Sequence, residues 1–312
     1  MSVQRNDGYA TPRAVEQALK QAARNASKLD PSLSVHDRIR LAYFDRFLAR
    51  VFSEESSSSW VLKGGMGILA RVASARSTTD IDLFGKMSTI EEALGELRRA
   101  AAKDLGDHFS FEFVGSRSIV GGHHNPYTEG VAAAFDVYIG AQKKGMVNVD
   151  LVVDVVVTGE VDAILPSHSL QLPKLGSVRY NVYPVVDQVA DKVCASLSTY
   201  SGAKSSREKD FVDLMLFATT CELDAGELRR AVRVEASARG LALPSSFSLP
   251  SDWGAVYEAH AAEIRALREH LDADSARTVL SDLLDPTLGA DFTHARWDPR
   301  GLRWQGIDRG LR

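Results

Sequence analysis

The stretch Arg76-Ser77-Thr78-Thr79-Asp80-Ile81-Asp82-Leu83, read with the upstream Trp60-Val61-Leu62-Lys63-Gly64-Gly65, decides how this chain folds. Trp60-Val61-Leu62 reads as a short buried strand stopped by Gly64-Gly65, and helical spacing resumes over residues 67–72. Residues 81–84 continue the strand that carries the two aspartates. Side chains alternate between the faces of a strand, so Asp80 and Asp82 point the same way and can share a hard divalent cation such as Mg²⁺. A glycine turn between strand and helix lets backbone N–H groups and a helix N-terminus approach a triphosphate. No Gly-Lys-Ser or Gly-Lys-Thr follows, which excludes a P-loop. Taken singly, each signal has an ordinary structural explanation, a solvated edge pair or a plain turn. Their succession along the chain raises the value of both.

Outward from this centre, strand and helix interleave. Residues 14–28 and 34–51 have apolar positions at helical spacing, the second with Leu41, Phe44, Phe47, Leu48 and Val51 in register. Residues 89–105 form an amphipathic helix capped by Ser88 or Thr89, and residues 109–114 and 132–139 alternate like strands. The most regular strand is 146–157, with Asn148, Asp150, Val152 and Asp154 on one face. After Pro184 the pattern turns helical, over 185–200, 206–221, 225–240, 253–271 and 274–284. The chain therefore reads as α/β, with N-terminal helices and a mixed strand-and-helix core over 1–180 and a helical lobe over 181–312. Residues 296–304, with Trp297 and Trp304, read as an irregular tail whose tryptophans dock on the protein's own surface.

Composition bounds the function. The 312 residues are 45% hydrophobic and 25% charged, as in an ordinary soluble protein, and no stretch approaches the roughly 20 apolar residues of a membrane span. A cytoplasmic protein is expected. Cys194 and Cys221 are too few for a disulfide framework or a zinc site and read as small buried residues. A formal net charge of −4 gives no general attraction to nucleic acid, so such binding needs local basic clusters. Candidates are Arg71 with Arg76, Arg98-Arg99 with Lys103, Lys143-Lys144, Lys204 with Arg207 and Lys209, and Arg229-Arg230, although each is commonly a solvated helix face. His123-His124 lies in a loop-like setting with no third ligand at suitable spacing.

Phosphate chemistry with metals needs a third acidic ligand from a neighbouring strand. Asp150 and Asp154 share a strand face but lie about 13 Å apart, so one metal site cannot use both; Asp150 is preferred because the strand is less continuously apolar there. In the helical half, Lys192 follows Val189-Ala190-Asp191, and Arg207-Glu208-Lys209-Asp210-Phe211-Val212-Asp213-Leu214 opens the next helix with Asp210 and Asp213 on one face. A lysine facing a cleft could hold phosphate oxygens and Asp213 could orient it; the competing explanation is an inter-helix salt bridge.

These four motifs, in this order, resemble the AbiEii/AbiGii-type nucleotidyltransferase toxins, including the MenT group, over about Trp60 to Leu214. The resemblance implies a polymerase-β-like nucleotidyltransferase core with a mixed sheet, a helical C-terminal lobe, and a toxin encoded beside a cognate antitoxin. It also implies Mg²⁺-dependent transfer of nucleotides from an NTP to the 3′ end of tRNA, which blocks translation. By the same resemblance Asp80 and Asp82 are the metal pair and Asp150 the looser third ligand. Lys192 is the phosphate-contacting lysine, Asp213 the carboxylate of the second domain, and Gly64 and Gly65 lie against the nucleotide, with Lys63 and Arg207 secondary. Relatives often carry serine directly before or two before the first aspartate, places that hold Thr79 and Thr78 here, and in some the antitoxin phosphorylates such a hydroxyl. A phosphate on Thr78 would add about two negative charges beside the carboxylates. Two other readings use the same residues: a small-molecule nucleotidyltransferase of the antibiotic-modifying kind, and a nucleotide-binding regulator without activity.

Overall fold

A computed structural model of the chain describes residues 8–53, 59–73, 75–119, 130–198, 207–289 and 292–306. Two compact units result, one from Met1–Val120, Thr128–Val155 and Asp162–Val182, the other from Val156–Val161 and Tyr183–Arg312.

In the first unit, helix α1 (Pro12–Leu29) starts at Thr11, whose hydroxyl accepts from the Ala14 N–H, with Pro12 at its first turn where no donor is needed. Helix α2 (Val35–Val51) starts at Ser34, bonded in the same way to Asp37. Strand β1 (Trp60–Lys63) runs directly into α3 (Gly64–Arg71), followed by β2 (Ile81–Gly85) and α4 (Ile90–Ala101), which Thr89 caps. Strands β3 (Phe109–Ile119), β4 (Gly130–Ile139), β5 (Gln142–Val152), β6 (Asp162–Ile164) and β7 (Tyr180–Val182) complete a seven-stranded sheet in the order β3-β4-β5-β2-β1-β7-β6. The sheet is mixed: β2 pairs with β5 and β1 with β7 in parallel, while the remaining neighbours are antiparallel.

Alternation explains which face is which. Val147, Val149 and Leu151 of β5, Ile81 and Leu83 of β2, and Phe135 of β4 are buried together on one face. Phe47 of α2 packs there on Phe111 and Phe135, with ring centroids 5.3 and 5.0 Å apart, and Arg98 of α4 lies 4.5 Å over Phe113. Helices thus cover that face, and the residues between, Asn148, Asp150 and Asp82, stand on the other.

Buried ion pairs fix α2. Arg50, fully buried, bonds Asp107 and the Phe109 carbonyl at 2.7 Å each, and Arg46 reaches Asp107 and the Gly176 carbonyl at 2.9 Å each. Directly before Arg46, Asp45 accepts from Ser169 and Tyr180 at 2.8 Å each and faces His168 Nε2 at 3.0 Å.

The second unit holds α5 (Val185–Leu197), α6 (Glu208–Thr220), β8 (Leu223–Asp224), α7 (Ala225–Ala238), α8 (Gly254–Glu263), α9 (Ala273–Leu288), β9 (Ala295–Asp298) and β10 (Arg303–Gly306). Its core is centred on α6, where Phe211 stacks on Tyr257 at 4.2 Å. Asp187, near the start of α5, accepts the Thr158 and Gly159 N–H groups, which explains why Val156–Val161 belongs to this unit.

Several boundaries differ from the sequence reading. The expected helix over 253–271 is broken into short 3₁₀ turns on either side of α8. The expected irregular tail is instead a hairpin, β9 with β10, added to β8. Its tryptophans dock as expected: Trp297 is fully buried and donates to the Ala218 carbonyl at 2.7 Å, and Trp304 donates to the Asp282 and Leu283 carbonyls. Strand β5 stops at Val152, and Asp154 is exposed in the left-handed conformation with φ 58°. Cys194 is buried, and burial pushes its thiol up to about 12, whereas Cys221 is only half-buried. Among the described residues no helix is long and apolar enough to cross a membrane.

Candidate active site

One transverse row of the sheet collects the first unit's candidate residues. Lys63 of β1 is paired with Asp82 of β2, and Asp82 with Asp150 of β5. Residues directly opposite on neighbouring strands share a face about 5 Å apart, so the parallel β2/β5 pairing puts the two carboxylates side by side. Asp80 lies in the bend just before β2 rather than on the strand itself. Thr78, only 5% exposed, donates from Oγ1 to Asp80 Oδ1 at 3.0 Å.

The glycine turn is built against these groups. Gly64 has φ +56°, and a Cβ placed there would fall 1.8 Å from Asp82 Oδ2. Gly65 faces Thr78 in the same way, with a hypothetical Cβ 2.8 Å from its Oγ1. Glycine is therefore required twice over at position 64, by backbone conformation and by close approach of the carboxylate. The Asp150 carboxyl is raised above the ordinary carboxylate range, first by burial and then by the charge of Asp80, with Arg117 acting in the opposite direction. Two like charges are thus held close together.

These residues fit a hard cation in chemistry. Mg²⁺ is usually held by one or two carboxylates and completes its octahedron with water and substrate phosphates. Among the described residues no three His, Cys, Asp or Glu side chains are gathered closely enough to hold a metal by themselves. The structure accordingly does not close Asp80, Asp82 and Asp150 into one ligand set; Asp80 accepts from Thr78, and Asp82 lies against Gly64. What it offers is a pair at a time.

In the second unit, Lys192 of α5 donates to Asp210 Oδ1 at 2.8 Å and Asp213 Oδ2 at 2.7 Å, both on α6. Arg207 reaches Asp210 Oδ2 at 3.3 Å. Asp213 is fully buried. The inter-helix salt bridge weighed from sequence is present, and it joins the lysine and aspartate motifs into one cluster.

The basic clusters are largely occupied within the protein. Arg71 bridges Asp162, Arg99 bridges Glu96, Lys143 bridges Asp136, Lys144 bridges Glu16, and Arg230 donates to the Thr158 carbonyl. Lys204 and His123-His124 lie outside the described residues.

A residue missed by sequence reading completes the row. Asp150 pairs with Ala132 of β4, and Ala132 with Arg117 of β3. Arg117 reaches this face because β3 is bulged: Phe113 pairs with Phe135 but Gly115 pairs with Ala134, leaving Val114 extra. The signal was Gly115, which interrupts the alternation of Phe109, Phe111 and Phe113.

Comparison with known proteins identifies the family. Residues 46–297 match the model of the nucleotidyl transferase AbiEii toxin family, from type IV toxin–antitoxin systems. The chain belongs to this family. It is thus a nucleotidyltransferase toxin of a toxin–antitoxin system, with an antitoxin as its partner. No curated protein matches the chain. Solved structures that resemble it include MenT4, a nucleotidyltransferase toxin from Mycobacterium tuberculosis H37Rv, at 16% identity and TM-score 0.49 over 86% of this chain and 93% of that one. JHP933 from Helicobacter pylori resembles it at 12% identity and TM-score 0.44, over 82% and 94%.

Proposed function

We propose that this AbiEii-family toxin transfers nucleotides from an NTP to the 3′ end of tRNA in the cytoplasm, blocking aminoacylation and so translation. The observation that carries the reading is the side-by-side placement of Asp82 and Asp150, with Asp80 two residues away, against the glycine turn at Gly64. In the reaction an acceptor hydroxyl oxygen bonds to the α-phosphorus, the bond to the bridging oxygen breaks, pyrophosphate leaves, and the hydroxyl proton passes to solvent.

Asp80, Asp82 and Asp150 are the candidates to hold Mg²⁺, two of them at a time, with water and substrate phosphates completing its shell. Bound there, the cation supplies positive charge for the attacking oxygen and the leaving pyrophosphate. Backbone N–H groups at Gly64 and Gly65, at the start of α3, receive phosphate oxygens, with Lys63 and Thr78 beside them and Arg207 a further contact. Lys192 neutralises triphosphate charge, and Asp213 positions its ammonium group. Regulation by phosphorylation of Thr78 requires its inward-turned hydroxyl to leave Asp80. Mass spectrometry of protein coexpressed with the antitoxin decides this: Thr78 unmodified in an inhibited complex removes the idea.

The test is incubation of purified protein with total tRNA and each labelled NTP in turn, with Mg²⁺ present and then chelated. Label on the 3′ end of tRNA, lost on chelation, is the expected result. Label on small molecules alone, or none with any NTP, overturns it.

A further inference from the structure

The row of paired residues continues past the carboxylates into a cavity of about 440 Å³. Asp80 and Asp150 line one side of it. Ala132, Ala134 and Gly115 form its floor, and Arg117 and Asn148 also line it. The floor is flat for a reason of sequence: Ala132 and Ala134 occupy the positions of β4 that face the carboxylates, and each pairs with a residue of β3 and one of β5. Larger side chains at these positions would fill the space.

Position along the row separates two roles. Gly64 lies against Asp82 on the β1 side, where the start of α3 offers backbone N–H groups to the donor phosphates. The cavity lies on the β5-β4-β3 side, beyond Asp150. Its volume falls within the roughly 300–1,000 Å³ of small-ligand sites, enough for one nucleotide. Its walls combine apolar floor, an amide able to donate and accept, and a guanidinium able to hold a phosphate. Arg117 is aimed into it only because of the bulge at Val114, and bulges re-aim side chains at functional sites.

We infer that this cavity receives the terminal nucleotide of a single-stranded acceptor end, with its base over Ala132 and Ala134, its polar edge at Asn148 and its phosphate on Arg117. The inference rests on the proposed transfer to a nucleic-acid 3′ end. Arg117 is a positioning residue: it holds the acceptor and does not touch the donor.

The test measures binding, by fluorescence anisotropy, of two hairpin RNAs that differ only in the last nucleotide of a single-stranded 3′ CCA end, to wild-type protein, Arg117→Ala and Arg117→Lys. Removing the last nucleotide should weaken wild-type binding roughly tenfold or more, the loss expected for a charge-assisted contact. Arg117→Ala should bind both RNAs alike, and Arg117→Lys should recover part of the difference. Alongside, Arg117→Ala should raise KM for tRNA with KM for NTP unchanged. Ala132→Leu, which fills the floor, should act like Arg117→Ala while melting as a normal folded protein. Equal loss on shortening in wild type and Arg117→Ala, no loss in wild type, or a change confined to KM for NTP overturns the inference. Wild-type protein that shows the Arg117-dependent binding difference but labels no RNA with any NTP refutes the proposed function instead and leaves the cavity's ligand as inferred.

Discussion

Two charged clusters in this molecule obey opposite rules. In the second unit, Lys192 sits between Asp210 and Asp213, and Arg207 adds a second cation to Asp210, so two positive and two negative groups balance within hydrogen-bond reach. In the first unit, Asp80 and Asp150 are close enough that one raises the other's carboxyl above its ordinary range. A fold gains nothing from placing like charges together, and folded structures usually separate or neutralise them. The balanced cluster has a structural purpose visible in its own contacts, joining α5 to α6. In the acidic one Arg117 offsets only part of the effect of burial and of Asp80 on Asp150, and a carboxyl kept above its ordinary range is a common mark of a ligand site.

The largest effects should therefore separate by type. Asp80→Ala is expected to lower labelled-nucleotide transfer to tRNA by more than about a hundredfold, beyond what loss of a metal's outer support costs. The melting temperature should change little, because the repulsion removed offsets the loss of the Thr78 hydrogen bond. Normal incorporation by this mutant would remove Asp80 from the site, and a collapse of the fold would show that the pair is structural after all.

Asp213→Ala should do the reverse on stability. Asp213 is fully buried and bonded to Lys192, so its loss leaves a largely buried ammonium with Asp210 alone. Breaking one side of a buried pair costs about 3–5 kcal/mol, readable in urea denaturation. Lys192→Ala should cripple transfer as well as loosen α5 against α6. Full activity in a folded Lys192→Ala protein would make the cluster wholly structural and sharpen the contrast between the two units.

How much of this was legible in the sequence depended on whether the signal was local. The cap at Thr89 and the alternation of Val147, Val149 and Leu151 are short-range patterns, and the corresponding elements formed where those patterns lie, whereas Asp80 falls in the bend just before its expected strand. The pairing partner of Asp82 was inferable only as a preference for Asp150, and the parallel β2/β5 register supplies its physical ground. Arg117 was invisible because strict alternation from Phe109, Phe111 and Phe113 would bury it, and a single extra residue at Val114 reverses that. The terminal hairpin was missed for a related reason: β9 is held by Trp297 under α6 and by β8, contacts far away in sequence.

Within the first unit, the Asp45 and His168 pair offers a milder electrostatic comparison. Burial would push the His168 imidazole down, but the charge and hydrogen bond of Asp45 outweigh it and raise it above its ordinary value. Burial would push Asp45 up, but His168, Ser169 and Tyr180 hold it below its ordinary value. The signs follow from linkage. A raised imidazole contributes stability fully below its unfolded value of about 6.5 and loses it as pH climbs through the folded value. A depressed carboxyl contributes above its unfolded value of about 3.9 and loses it as pH falls through the folded one. Stability from the pair should be greatest between these limits, and His168→Gln should flatten the alkaline side of a plot of melting temperature against pH. An unchanged alkaline slope in that mutant would assign it to other groups.

The smallest effect is expected at Asp154, the acidic residue passed over in favour of Asp150. It lies beyond the end of β5, exposed and in a left-handed conformation that costs an ordinary L-residue about 1–2 kcal/mol and an aspartate less. Asp154→Gly relieves that cost but loosens the unfolded chain, so the net gain should stay below about 1 kcal/mol. Transfer to tRNA should be unchanged, because β5 has already ended at Val152 and Asp154 has left the row shared by Asp82 and Asp150. A large loss of transfer in Asp154→Gly, with Asp150→Ala retaining activity, would mean that the acidic end of β5 was assigned to the wrong residue and that strand register does not govern which carboxylates act together.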